Sequence, residues 1–226
     1  MRIGVIGGLG PLATAKFMEM LARRFAEHHE AVELAVINDP KTPDRTSYIL
    51  GRSKDNPVES ILAMVDSLSA LGCGLLVMPC NTASYFYREI EARTDIKFIN
   101  IVEETVKYLA RCGVKKVGLL ATEGTVKSGI YKELLDASGI ELEVPDAAGQ
   151  KTVSSIIYEG IKKGAPVELD AFFEVVRSLE SSGCERVILG CTELSALKEL
   201  YRLGDPVLLD AMDVLADSTL AFAAGA

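Results

Sequence analysis

The amino-acid sequence predicts an α/β fold of two similar domains, each a four-stranded parallel sheet flanked by helices, related by internal duplication (a pseudo-two-fold). Three observations lead there. Short β-branched runs alternate with helical stretches, the pattern of parallel strands joined by crossover helices. With 226 residues, 49% of them hydrophobic, the chain can bury one large core or two compact ones. Finally, the second half of the chain repeats the first.

The repeat consists of three matched stretches in the same order. RIGVIGGLGPLATAKFMEML (2–21) lies over KVGLLATEGTVKSGIYKELL (116–135) without a gap, at an offset of 114, superposing Gly10 on Gly124 and Leu21 on Leu135. GCGLLVMPCNTAS (72–84) lies over GCERVILGCTELS (183–195) at an offset of 111, superposing Cys73 on Cys184, Cys80 on Cys191 and Ser84 on Ser195. FINIVEE (98–104) lies over LLDAMDV (208–214) at an offset of 110, pairing Glu103 with Asp213. The unit is about 110 residues, a usual size for a small domain. The last helix matches 102–112, so each half is expected to end by crossing to the other. Residues 1–100 with 211–226 then form the domain carrying Cys80, and 101–210 the domain carrying Cys191.

In chain order, strand 2–6 runs through a glycine-rich turn into helix 11–28, and strand 33–37 into a stiff polar loop at 38–49. Helix 57–71, strand 74–79, helix 84–93, strand 96–100 and helix 102–112 complete the first round. The second round has strands 116–121, 140–144, 186–190 and 206–210, with helices 126–138, 150–163, 167–182, 193–202 and 212–223.

Composition excludes several function classes. A net charge of −8 leaves no basic face for nucleic acid. No apolar run approaches a membrane span, and Met1 leads straight into an apolar strand without a basic leader, so no membrane or secretory role is expected. Five cysteines without a CxxC pair suit reduced thiols in a cytoplasmic protein. Zinc-ligand spacings are absent, and the only histidines are the adjacent His28 and His29, so no metal is expected.

Cys80 follows the apolar run LLVMP and Cys191 follows VILG. Both therefore lie just past the C-terminal end of a strand, where α/β sheets place their sites. Each precedes a helix, whose N-terminus is expected to lower a thiol pKa. The bland reading is a small buried residue at the sheet edge; Cys73, Cys184 and Cys112 lie in glycine-flanked turns away from that edge and are assigned to structure. The functional reading is an acid/base pair. A stereocentre is inverted when a thiolate removes a proton from one face and a thiol returns one to the other.

GVIGGLGPLAT contains Gly8-x-Gly10-x-x-Ala13, the outline of a dinucleotide loop. Three features oppose that reading: Pro11 lacks the N–H a phosphate cradle needs, the repeat copy loses the pattern, and Asp39 is followed by Pro40. The turn is expected instead to let a small substrate approach backbone N–H groups near Gly8. An anionic substrate also needs local cations against the overall charge. Arg45, with its carboxylate-matching fork, and Lys162 are the candidates, although each alone reads as a solvated charge.

GGLGPLAT (7–14), PDRTSYI (43–49), MPCNTAS (78–84), LLATEGTVKSGIY (119–131), YEGIKKG (158–164), GCTELS (190–195) and the DAMDV segment together resemble the pyridoxal-phosphate-independent aspartate racemases of the aspartate/glutamate racemase superfamily. The likeness runs over nearly the whole chain in unbroken order. It implies two four-stranded parallel domains with a small anionic amino-acid substrate between them, no cofactor, and a homodimer. By match to the family motifs, Cys80 and Cys191 are the acid/base thiols, and Arg45 and Lys162 hold carboxylates. Asn81, Thr82, Thr122, Thr125 and Thr192 offer polar contacts to the α-carboxylate and amine, and Glu193 orients the second thiol or meets the ammonium. Ser84 stands where the first motif usually continues to His, and Leu9 where Met is common. The leading function is therefore aspartate racemisation. Racemisation of glutamate, a broader amino-acid range or a hydantoin, isomerisation or decarboxylation of a dicarboxylic acid, and non-catalytic amino-acid binding are the alternatives.

Overall fold

The computed structural model, described here for residues 1–225, contains two four-stranded sheets in which every pairing is parallel. Strands β1 (Arg2–Gly7), β2 (Glu33–Asn38), β3 (Leu75–Val77) and β4 (Lys97–Ile99) lie in the order β2-β1-β3-β4. Strands β5 (Lys116–Ala121), β6 (Glu141–Glu143), β7 (Arg186–Gly190) and β8 (Leu208–Asp210) repeat it as β6-β5-β7-β8. The first two stretches that overlay in sequence thus occupy the same two central strands of each sheet, and the third falls on the same edge strand, β4 or β8. Parallel strands need helical crossovers that cover both faces, and the central strands accordingly read as unbroken apolar runs. β3 and the last four residues of β7 are wholly buried.

Helices α1 (Pro11–Glu27), α2 (Arg45–Ile49), α3 (Val58–Ala70) and α4 (Tyr87–Arg93) belong to the first round, which ends in α5 (Ile101–Arg111). The second round has α6 (Glu123–Ser128), α7 (Ile130–Ala137), α8 (Ala147–Ser155), α9 (Leu169–Ser181) and α10 (Thr192–Leu200), and ends in α11 (Ala211–Ala224). No helix among the described residues is long and apolar enough to cross a membrane. α5 leaves the first sheet and packs on α7 of the second, whereas α11 leaves the second and packs on α1 of the first. The two crossing helices also pack on each other. One apolar core consequently runs through both halves, joining Val5 and Phe17 to Leu119 and Tyr131 by way of Val106, Leu109 and Leu215. Two smaller clusters cover the outer faces, around Ile61 and Phe86 in one half and Phe172 and Val176 in the other.

The structure departs from the sequence-based elements where backbone chemistry overrides apolar period. The polar loop contains α2, started by Asp44, whose side chain accepts the Ser47 N–H at 2.7 Å. The helix expected over 126–138 is broken at Gly129, which sits in the left-handed region at φ 72°. The helix expected over 150–163 starts earlier, capped by Asp146, and ends in a π turn (Ile156–Gly160) and a 3₁₀ turn (Ile161–Lys163). The wider π turn carries Tyr158 and the tighter 3₁₀ turn carries Lys162, and such departures from α geometry re-aim side chains.

The crossing helices start differently. Asn100 caps α5 by accepting the Val102 N–H at 3.0 Å, and Asp210 caps α11 by accepting that of Met212 at 2.9 Å. Asp210 also accepts the Ser195 hydroxyl at 2.6 Å. Burial, then the neighbouring Asp213, raises the Asp210 pKa from 3.8 to about 6. A carboxyl whose pKa rises on folding favours the fold below its unfolded value, and that benefit is lost as pH climbs through the folded one. The ionised form therefore costs about 3 kcal/mol near pH 8. Asp210→Asn, which gives the second crossing the residue of the first, should gain stability over the wild type as pH rises from 5 to 8. Thermal melts across that range test this; a gain that is flat with pH contradicts it.

Candidate active site

The C-terminal ends of the central strands of both sheets open on one small cavity. Leu9 follows β1, Cys80, Asn81 and Thr82 follow β3, Thr122 follows β5, and Cys191, Thr192 and Glu193 follow β7. Arg45 and Thr46 from α2, with Tyr158 from the π turn and Lys162 from the 3₁₀ turn, close it. Its volume is about 20 Å³, the room of a single water. An outer cavity of about 330 Å³ adjoins it and shares Leu9, Asp44, Arg45, Lys162, Thr192 and Glu193 as lining. Gly8 lines only the outer one.

The two thiols sit in unequal surroundings. Cys191 caps α10, is 6% exposed, and donates its S–H to Glu193 Oε2 at 2.9 Å. Burial, reinforced by the Glu193 carboxylate, pushes its pKa well above the ordinary thiol value. This reverses the lowering expected from the helix N-terminus. A helix end contributes at most about 2 kcal/mol, whereas full burial shifts a pKa by as much as 3–5 units, roughly 4–7 kcal/mol. Cys80 precedes only a five-residue 3₁₀ turn (Thr82–Phe86).

Glu193 organises the outer side of the cavity. Its Oε1 lies 3.9 Å from Lys162 Nζ, and Lys162 in turn sits 4.5 Å over the Tyr158 ring. A β-carbon on Gly10 would come within 3.0 Å of Glu193 Oε1, so the glycine makes room for the carboxylate. Gly8 has φ +85°, a β-carbon there would collide with the Asp39 backbone, and its N–H donates to Thr14 Oγ1 at 3.0 Å. The glycine loop therefore serves close packing; the Gly8 amide expected to meet substrate is already engaged.

On the opposite side, three hydroxyls form a closed triangle across the halves. Thr82 Oγ1 is 2.9 Å from Thr122 Oγ1 and 2.8 Å from Thr125 Oγ1, which are themselves 3.0 Å apart. Thr125 reaches the site through this triangle rather than as cavity lining. Tyr158, whose hydroxyl pKa is pushed up to about 12 chiefly by burial, donates across the halves to Thr46 Oγ1 at 3.1 Å.

Among the described residues, two buried donors are left over. Arg45 is 7% exposed, and its Nη1 donates to the carbonyls of Thr42 and Pro43 while Nη2 donates to that of Leu9. The fork anticipated for a bidentate carboxylate is thus largely occupied by backbone, and the buried Nε has no partner. Asn81 Nδ2 is the second unpartnered donor. Ser84 is not gathered into the site: its hydroxyl donates back to the Cys80 carbonyl at 3.3 Å, and it lines a separate hollow beside Tyr85 and Arg88. Sequence reasoning did not single out Thr46, Asp44 or Tyr158 as cavity lining, because only the unanticipated α2 and π turn aim them inward.

Residues 6–219 match the Asp/Glu/Hydantoin racemase family. The chain belongs to that family. It is 27% identical over 226 residues to the broad specificity amino-acid racemase RacX of Bacillus subtilis (strain 168), covering 96% of each chain. Among solved structures it is similar to the Picrophilus torridus aspartate racemase, with a TM-score of 0.80, 28% identity, and coverage of 99% of this chain and 95% of that one. A putative Asp/Glu racemase from Yersinia pestis superposes with a TM-score of 0.84 at 25% identity, covering 99% and 100%.

Glu193→Gln removes the negative neighbour of Cys191 while keeping its shape. The Cys191 pKa should fall, and its alkylation by iodoacetamide should quicken by roughly threefold for each unit of pKa lost, the tenfold gain in thiolate being partly offset by lower nucleophilicity. Peptide mass spectrometry of the alkylated protein across pH measures this; an unmoved profile would show that Glu193 does not govern the thiol.

Proposed function

We propose that this protein is a cofactor-independent amino-acid racemase, with aspartate as its leading substrate, working through Cys80 and Cys191. The observation that carries the reading is that two buried thiols from equivalent positions of a duplicated unit line one cavity. With Cys191 held as the thiol, Cys80 as thiolate takes the Cα proton, and the electron pair stays on the substrate carbon. The Cys191 S–H then delivers its proton to the opposite face. The product state has a Cys80 thiol and a Cys191 thiolate beside Glu193, which returns to the starting state by proton exchange. General acid/base help of this kind is worth about 10²–10⁴-fold for each group. Arg45 Nε and Asn81 Nδ2, both buried and unpartnered, are the donors available to carboxylates, and Lys162 adds a cation at the junction with the outer cavity.

An amino acid is larger than the inner cavity, so entry requires Lys162 and Glu193 to move aside and admit substrate from the outer one. The outer cavity supports a second reading, racemisation of amino acids with longer side chains. Incubation of L-aspartate, L-glutamate and a panel of other L-amino acids in deuterated buffer, without pyridoxal phosphate, tests both. Loss of the Cα proton and of optical rotation is expected, fastest with aspartate; faster turnover of long side chains would favour the second reading. Cys80→Ala and Cys191→Ala should each lower the racemisation rate by about 10³-fold with the fold intact. Racemisation that persists in both variants would falsify the two-thiol mechanism.

A further inference from the structure

We propose that Tyr131 is a positioning residue of this reaction. Its hydroxyl fixes the Asn81 amide with the N–H side toward the thiol cavity, and so sets which way round the substrate lies between the two cysteines. The inference rests on the racemase reading above.

Tyr131 lies on α7, is 1% exposed, and packs in the core shared by the two halves. Its hydroxyl donates to Asn81 Oδ1, in the other half, at 2.6 Å. The Thr105 hydroxyl near the phenol donates to the Ile101 carbonyl, and burial raises the Tyr131 pKa, so the phenol remains a donor to Asn81. An amide that accepts through Oδ1 must turn Nδ2 the other way. Asn81 is 2% exposed, lines the cavity, and its Nδ2 has no protein partner. Leaving such a donor unpaired in the protein interior is unfavourable. A substrate carboxylate bound there removes that penalty.

The duplication supplies an internal control. The overlay places Tyr131 on Phe17 and Asn81 on Thr192. Phe17 is fully buried in the same core but carries no hydroxyl. The phenol hydroxyl and the amide are therefore each present in one half only, and they are each other's partner. This matters because two thiols related by a pseudo-two-fold would accept an amino acid in either of two opposed orientations. One oriented amide on the Cys80 side breaks the tie.

The test is a double-mutant cycle on KM and kcat, with the amino acid turned over fastest in the panel. Tyr131→Phe keeps the ring and its packing, and should raise KM about tenfold with little change in kcat. Asn81→Ala should raise KM at least as much, and the double variant should be no worse than Asn81→Ala alone. Asn81→Asp keeps the bond to Tyr131 but turns the free donor into an anion, and should weaken binding more than Asn81→Ala does. Independent, multiplicative effects of Tyr131→Phe and Asn81→Ala, or wild-type KM in Asn81→Asp, would overturn the assignment while leaving the racemase reading in place. No turnover by the wild type would remove the racemase reading and this assignment with it.

Discussion

The shared core made by the two crossing helices is the constraint on which everything else depends. A parallel four-stranded sheet must be covered on both faces, and neither half covers itself alone. α5 and α11 exchange sides and pack on each other, so the halves bury apolar surface jointly. With the halves related in this way, the C-terminal ends of β1 and β3 face those of β5 and β7. The cavity is a consequence of that arrangement: residues far apart in sequence meet because two strand edges are held toward one another.

Within that frame the site is symmetric in plan and asymmetric in detail. Cys80 and Cys191 occupy matching positions, but Thr82 in one half corresponds to Glu193 in the other. One side of the cavity is therefore lined by neutral hydroxyls, and the other carries the opposed charges of Lys162 and Glu193 at the junction with the outer cavity. Burial and Glu193 raise the proton affinity of Cys191, which on the racemase reading makes it the acid of the pair.

The repeat made much of this legible before any coordinates. All eight strands lie where strands are expected, and the central ones, buried on both faces, announce themselves by apolar composition. The pairing of Cys80 with Cys191 followed from the overlay alone. Helix ends were less legible, because α2, the break at Gly129 and the π turn depend on caps and backbone geometry rather than on apolar period. The sense of the Cys191 pKa shift was missed for a related reason. A helix N-terminus is visible in sequence, but the depth of burial and the carboxylate folding back from two residues on are not. Tyr131 was hidden because its packing role explains it fully; only the contrast with Phe17 distinguishes its hydroxyl.

The threonine triangle has a mechanical consequence. Three contacts share three hydroxyl protons, and Thr122 Oγ1 accepts the Thr125 N–H at 3.1 Å as well. A fastening of this kind carries no net charge, and neither ionic strength nor acidity over the ordinary range loosens it. The ion pairs that bridge the halves nearer the surface, Lys16 with Glu199 and Arg52 with Glu123, are screened by salt. Rising salt thus weakens the rim pairs, while the triangle and the shared core of α5 and α11 keep holding the halves together.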